Sequence, residues 1–346
     1  MKKYFLALLF LLFSISGFAQ KKKKRDAALP PPPQAIESVP QVKKQRTSTQ
    51  NDSKYLDVPP VVGGNETIIR ATKRDGKKII TKLEELESIN ISELTELSIK
   101  TTFSEVLGRN ILQKILEKGS QLESLVIHNF EIENFPEIKK PNNVLKKLEL
   151  DNNKLKTLPP SISNLVALED FSSYNPLQEL PETFSQLKNL KKLSLERTEL
   201  SVFPRVIFGL NNLFVLHISG NYERNAQIKE IPDLFTQLPE LKEFKVALSS
   251  LSTLPKSIST LKKLEKVVFS DNQFNDFPEA LASNPNLKFV AIDCNPLDWN
   301  KFTASIKKIK WSGLFFLNRT GFSKKQYEEI QKMLPKIDVY YDEMND

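Results

Sequence analysis

Few side chains in this sequence have the chemistry to catalyse a reaction or to bind a metal. There are two histidines, His128 and His217, one cysteine, Cys294, and a closely spaced pair of acids, Glu149 and Asp151. A thiol beside an imidazole could act as a nucleophile, two carboxyls in a closed pocket could hydrolyse a glycoside, and paired imidazoles could hold Zn²⁺. Each of these chemistries requires structural elements that bring the side chains together.

An apolar ladder that recurs nine times predicts what those elements are. Its units are 22 to 28 residues long, and a period in the twenties is typical of a stacked solenoid. In the unit that starts at Leu145, the alternation of Leu148 and Leu150 predicts a short strand with one buried face. A single unit cannot bury its own apolar edge, so neighbouring units must stack. The units begin at Leu94, Leu122, Leu145, Leu168, Leu190, Leu213, Leu241, Leu264 and Leu287.

Two further columns repeat in phase with the leucines. The first is mostly asparagine, whose amide can bond the backbone of neighbouring turns: Asn153, Asn175, Thr198, Asn221, Ser249, Asn272 and Asn295. The second is proline, which sets a turn after each strand: Pro136, Pro159, Pro181, Pro204, Pro232, Pro255 and Pro278. Thr198 and Ser249 replace the amide with a hydroxyl, so we expect a weaker ladder there.

Over residues 94–297 this pattern resembles the leucine-rich repeat family, in the subtype that reads LxxLxLxxNxLxxLPxxIxxL. The resemblance implies an α/β solenoid, a right-handed horseshoe with a parallel β-sheet on its concave side. It also implies protein–protein interaction as the usual role. It names no partner, because the shared residues are the structural ones.

The solenoid geometry argues against the chemistries considered first. His128 and His217 fall four strands apart, about 19 Å at about 4.8 Å per strand, whereas the ligands of one zinc ion lie about 2 Å from it. Glu149 and Asp151 project from an open sheet with Lys147 adjacent, and Cys294 falls in a turn with no histidine in register. We therefore predict no catalytic residue, no metal site and no cofactor.

The ends of the chain differ from the repeats. Residues 1–19 combine a lysine pair, a short apolar run and small residues, which is typical of a cleaved signal peptide. An Asp75-Gly76 turn between apolar pairs predicts a hairpin, and Ser323 with Gln326 predicts a capped helix flanked by strands. The predicted organisation is a signal peptide over 1–19, a disordered basic Pro-rich linker over 20–64, an N-terminal cap over 65–93, repeats over 94–298 and a C-terminal cap over 299–346.

The net charge of +8 is concentrated before the repeats. Residues 1–19 carry +2 and residues 20–64 carry +5, which leaves +1 for residues 65–346. A nearly neutral solenoid argues against a nucleic-acid-binding fold, and Lys21–Arg25 could make at most a weak contact with an anionic surface. An exported chain with one cysteine forms no internal disulfide, which fits a bacterial envelope protein, periplasmic, surface-bound or secreted.

Specificity is expected in the outward columns of the concave face, because these mix charge and size while the inward positions stay apolar. A longer unit also inserts a loop after Asn221 that carries an aromatic residue and an arginine. Such side chains dominate interface energy, so we predict that the partner-binding residues are Asp151, Tyr174, Glu196, His217, Tyr222 and Arg224. The function predicted is non-enzymatic binding of a protein. A glycan-binding or cell-wall-binding protein is the alternative, and a hydrolase comes third.

Overall fold

The computed structural model describes residues 68–81, 89–100, 105–222 and 227–342. Thirteen strands in these residues form one sheet in the order β13-β12-β11-β10-β9-β8-β7-β6-β5-β4-β3-β1-β2. The strands are β1 (Ile68–Lys73), β2 (Lys78–Thr81), β3 (Leu94–Lys100), β4 (Ser124–His128), β5 (Lys147–Asp151), β6 (Asp170–Tyr174), β7 (Lys192–Glu196), β8 (Val215–Ser219), β9 (Glu243–Ala247), β10 (Lys266–Val268), β11 (Phe289–Ala291), β12 (Gly313–Phe316) and β13 (Ile337–Tyr340). Strands β3 to β13 are parallel, which confirms the predicted solenoid sheet.

Short helical segments lie between the strands on the opposite side of the stack. Most are single 3₁₀ turns: Ile91–Glu93, Pro160–Asn164, Glu182–Gln186, Arg205–Gly209, Phe235–Gln237 and Lys256–Thr260. The α-helices are α1 (Glu105–Lys118), α2 (Glu279–Ala282), α3 (Trp299–Ile306) and α4 (Lys324–Met333). The proline column precedes many of these turns, since Pro159, Pro181, Pro204 and Pro255 each occupy the N-cap position. Within the described residues, no helix is long and apolar enough to cross a bilayer.

One continuous core fills the space between the sheet and the helical turns. The inward leucines of each strand, such as Leu148 and Leu150, are completely buried. Further along the stack, phenylalanines replace leucines, and Phe235, Phe244 and Phe269 form an edge-to-face series with ring centroids 5.1 and 5.5 Å apart. Such contacts are favourable beyond the area that they bury, so the later repeats are held by aromatic as well as aliphatic packing.

The asparagine column lies buried beside this core and satisfies the backbone of successive turns. The Asn272 amide donates to the carbonyls of Val246 and Phe269 at 2.8 and 3.1 Å, and its oxygen accepts from the Leu251 N–H at 3.1 Å. At the hydroxyl positions fewer bonds form: Ser249 Oγ donates to the Ala247 carbonyl at 3.3 Å. The expected weakening of the ladder at these positions is therefore present.

A left-handed residue directly precedes this column in most repeats. The positions with positive φ include Asn152, Arg197, Asp271, Cys294 and Arg319, at 51 to 58°. This conformation is uncommon for side chains other than asparagine and aspartate, so at Arg197, Cys294 and Arg319 the turn overrides the local preference of its residue. Cys294 therefore occupies a turn position, as the sequence predicted.

The two ends of the solenoid are closed by different elements. At the start, β1 and β2 form an antiparallel hairpin around Gly76, whose φ of +81° favours glycine, and α1 buries Leu112 and Ile115. At the other end, the Ser323–Gln326 capping box opens α4. Strands β12 and β13 continue the parallel sheet, so this end lengthens the same face. The predicted signal peptide and linker lie outside the described residues.

Candidate functional site

The outward side chains of β5 to β9 form a mixed-charge surface on the sheet. Strand register places Asp151 beside Tyr174 and Tyr174 beside Glu196, so these three predicted residues lie in one row across neighbouring strands. All three are half-buried. We call the surface made by Glu149, Asp151, Tyr174, Glu196, His217 and Lys245 the polar region.

An arginine packs against the aromatic ring at the centre of this row. The Arg197 guanidinium carbon lies 5.7 Å from the centroid of the Tyr174 ring, within the range of a cation–π contact. Arg197 follows β7 in the left-handed turn position, which directs it to the end of the strands. Arg197 was not among the predicted residues, because the predicted site drew on strand positions and one inserted loop and left out the turn residue that follows each strand.

Glu196 is paired with a lysine two strands away. Lys245 Nζ lies 3.0 and 3.1 Å from the two carboxylate oxygens of Glu196, and both side chains are half-buried. Because Glu196 ends β7 and Lys245 belongs to β9, the pair spans β8. A charge that sequence analysis treated as available to a partner is thus already compensated within the surface.

His217 lies on β8, the strand between Glu196 and Lys245, and it faces a different acid. Its Nε2 is 3.6 Å from Glu243 Oε2, and Lys266 Nζ is 3.5 Å from the same oxygen. The hydrogen bond from His217 lowers the pKa of the Glu243 carboxyl. A groove of about 850 Å³ runs beside His217 over the starts of β5 to β9, where Lys147, Lys192 and Glu243 line it.

Of the other two predicted site residues, only Tyr222 belongs to the described residues, and it lies apart from this surface. Tyr222 is 67 % exposed, and its hydroxyl faces the Asp271 carboxyl near Cys294 and Arg319, at the turns that follow β10 to β12. Arg224 lies outside the described residues. The structure therefore brings together Asp151, Tyr174, Glu196 and His217, and it places Tyr222 toward later repeats.

Cys294 shares the surroundings of Tyr222. Its thiol is half-buried, and burial together with the nearby Asp271 raises its pKa to about 11. Nucleophilic cysteines have lowered pKa values, so this environment is the reverse of an activated thiol.

A histidine and two acids meet at the edge of the polar region. His128 ends β4, and its Nε2 is 3.3 Å from Glu149 Oε1 while its Nδ1 is 3.7 Å from Asp151 Oδ2. The hydrogen bond with His128 lowers the pKa of Glu149 to about 2, whereas burial and the charge of Glu149 raise that of Asp151. The sequence analysis compared His128 only with His217, which the sheet places four strands away.

The last strands present aromatic rings on the same face. Phe316 stacks between Phe289 and Tyr340, with centroids 4.9 and 4.8 Å apart and interplanar angles of 30° and 12°. We call these three residues the aromatic end. Phe316 and Tyr340 were not predicted to lie on this face, because the repeat pattern becomes irregular after Leu297.

Comparisons with known proteins agree with this architecture. Models of the leucine-rich repeat match residues 144–165 and 173–222. The chain is a leucine-rich repeat protein. It is 25 % identical over 224 residues to the volume-regulated anion channel subunit LRRC8A of Rattus norvegicus, covering 61 % of this chain and 26 % of that protein. It is 26 % identical over 226 residues to the TMV resistance protein N of Nicotiana glutinosa, covering 62 % and 19 %.

The leucine-rich repeat protein spans about a quarter or less of the length of these curated relatives. A solved internalin from Listeria monocytogenes aligns with 77 % of this chain and 86 % of its own, at 18 % identity and a TM-score of 0.47. The residues of the polar region are not part of the repeat pattern.

Proposed function

We propose that this leucine-rich repeat protein is an exported, non-enzymatic binding module that holds a protein partner on its polar region. The observation that carries the proposal is the row Asp151–Tyr174–Glu196, in which an arginine-covered tyrosine lies between two acids. Tyrosine and arginine are enriched among the residues that dominate binding energy at protein interfaces. The groove beside His217, over the starts of β5 to β9, adds a concave surface for a complementary side chain.

The ion pairs within the polar region and beside it determine the pattern of charge that a partner would meet. Glu196 and Glu243 are each held by a lysine or histidine of the same face. Fixed pairs present a defined pattern of charge, which selects among partners and orients them more than it adds affinity. We expect the partner surface to carry both signs of charge around an apolar or aromatic centre.

Export rests on the sequence alone, through the charged, apolar and small-residue pattern of residues 1–19. A bacterial envelope or exterior location, and a weak contact of Lys21–Arg25 with an anionic surface, remain predictions. N-terminal sequencing of the protein isolated from its source tests whether residues 1–19 are cleaved, since retention of Met1 would overturn the predicted signal peptide.

Glycan binding stays the alternative, and the aromatic end does not favour it. Sugars bind proteins through exposed ring faces, but Phe316 stacks on both neighbours and Lys266 Nζ lies 5.3 Å from the Phe289 centroid. The ring faces that a sugar would need are largely occupied by the protein itself.

A capture experiment with matched variants tests the proposed function. The full chain is the bait, applied to envelope and medium fractions of its source beside a Tyr174→Ala/His217→Ala variant and a Tyr222→Ala variant. Val202→Ala is the control, because Val202 is 70 % exposed and lies outside the strands. We expect a partner whose affinity falls at least tenfold only with the double variant.

Other outcomes contradict the proposal. Equal capture by all baits would move the site away from the polar region, and loss with Tyr222→Ala alone would move it to the turns after β10 to β12. Capture of polysaccharide without protein would favour the glycan alternative. Unchanged melting temperatures of the variants are required for either conclusion.

A further inference from the structure

We propose that His128, Glu149 and Asp151 form a binding site for one divalent transition-metal ion, with Zn²⁺ as the best-suited ion. This inference goes beyond the proposed function and does not depend on it. It rests on three side chains from two adjacent strands whose ligand atoms face one another on the sheet.

The strand register creates the cluster. His128 pairs with Asp151, and Val126 pairs with Glu149, so the histidine of β4 lies beside two outward acids of β5. One ligand atom from each of the three residues lies within 4.8 Å of the others. Ligands about 2.1 Å from a tetrahedral zinc ion are about 3.4 Å apart. The ligand atoms therefore need to close by up to about 1.4 Å. His128 directs Nε2 to Glu149 and Nδ1 to Asp151, so side-chain rotation must also bring one nitrogen to face both carboxylates.

The oxygen atoms that would bind the metal are not committed to stronger partners. Glu149 Oε2 is held by Lys147 Nζ at 3.1 Å, but Oε1 faces His128. Asp151 Oδ2 lies 3.7 Å from His128 Nδ1, and the other oxygen of this carboxylate, Oδ1, is enclosed by protein with no hydrogen-bond partner among the described residues. An enclosed carboxylate oxygen without a partner is costly, and a cation bound to the same carboxylate would offset part of that cost by neutralising its charge.

The charge around the cluster suits a dication. Glu149 and Asp151 supply two negative charges, which one divalent ion neutralises. Lys147 already compensates part of this charge, and Lys100 of β3 pairs with His128 from the other side. These lysines limit affinity, so we expect binding in the micromolar range rather than the much tighter binding of a structural zinc site.

The donor set also indicates which ions would bind. One imidazole nitrogen with two carboxylate oxygens suits zinc and its first-row neighbours, whereas Mg²⁺ and Ca²⁺ prefer oxygen donors alone. Three protein ligands leave a fourth position, and the cluster lies on the open face of the sheet. Water or a side chain of a bound partner could take that position.

Calorimetric titration of the full chain with ZnCl₂ tests the site directly. A Cys294→Ser background removes the thiol as a competing zinc ligand. We expect one equivalent of Zn²⁺ to bind and Mg²⁺ not to bind. His128→Gln and Asp151→Asn should each weaken zinc binding at least tenfold, since even outer-shell changes at metal sites cost 10- to 100-fold.

His217→Gln is the matched control, because His217 lies on the same face and approaches one acid, Glu243, rather than two. Co²⁺ provides a second readout, as imidazole and carboxylate ligation would give visible absorption that His128→Gln removes. The site would be overturned if the Cys294→Ser protein did not bind zinc, or if the His128 and Asp151 variants bound zinc as strongly as that protein does. The titration contains no partner, so its failure leaves the proposed protein binding intact.

Discussion

The polar region and the aromatic end lie on one sheet face, yet they are stabilised in opposite ways. In the polar region, Glu196 and Lys245 form an ion pair across β8 with a fifth to a quarter of each side chain exposed. In the aromatic end, Phe316 is 6 % exposed and stacks on both neighbours. Burial of an aromatic ring contributes several kcal/mol, whereas exposed ion pairs contribute about 1 kcal/mol or less. Substitutions in the polar region should therefore change binding with little loss of stability, whereas substitutions in the aromatic end should destabilise the fold.

The largest expected effect comes from removing the ring at the centre of the aromatic end. Phe316→Ala deletes two stacking contacts and the burial of a ring that is 6 % exposed, so we expect it to lower the free energy of unfolding by about 3–5 kcal/mol. Urea unfolding followed by circular dichroism measures this change. Glu196→Ala in the polar region is the comparison variant and should cost far less. A similar loss in both variants would mean that the two regions do not differ as described.

The buried columns of this fold could be predicted well from the sequence because each buried position has the same surroundings in every repeat. Every unit must place leucine or phenylalanine against its neighbours and an amide or hydroxyl at the turn, so Leu148 and Asn272 follow from the repeat alone. The outward positions are under no such constraint. Their neighbours are set by register, which is why the contact of His128 with Glu149 and Asp151 appears only when strands are aligned.

Three features of this face could not be predicted from the repeat pattern, each for a different structural reason. Arg197 contacts Tyr174 from a turn, where a left-handed backbone directs the side chain. Tyr222 belongs to a longer unit, and its hydroxyl faces Asp271 of a later repeat. Phe316 and Tyr340 follow α-helices rather than the 3₁₀ turns of most earlier repeats, so the spacing that identifies a unit is altered there.

A medium effect is expected where the buried column passes beneath the two regions. Asn272→Ala removes an amide with bonds to Val246, Phe269 and Leu251 and leaves the Leu251 N–H buried without that partner. The expected cost is about 1–3 kcal/mol. Ser249→Ala removes one long bond and should cost about 1 kcal/mol or less. Chemical denaturation of the pair measures the difference, and a larger loss for Ser249→Ala would refute the ranking.

The smallest effect on stability is expected for the ion pair of the polar region. Lys245→Met keeps most of the aliphatic stem but removes the charge that lies 3.0 Å from Glu196, so we expect a loss of about 1 kcal/mol at low salt. A double-mutant cycle with Glu196→Gln isolates the pairwise coupling from other effects of each change. Salt screens charges that water can reach, so the coupling should shrink when the cycle is repeated at about 1 M NaCl. A coupling above about 3 kcal/mol that salt leaves unchanged would show that the pair is a rigid, buried element, and the polar region would then resemble the aromatic end in how it is stabilised.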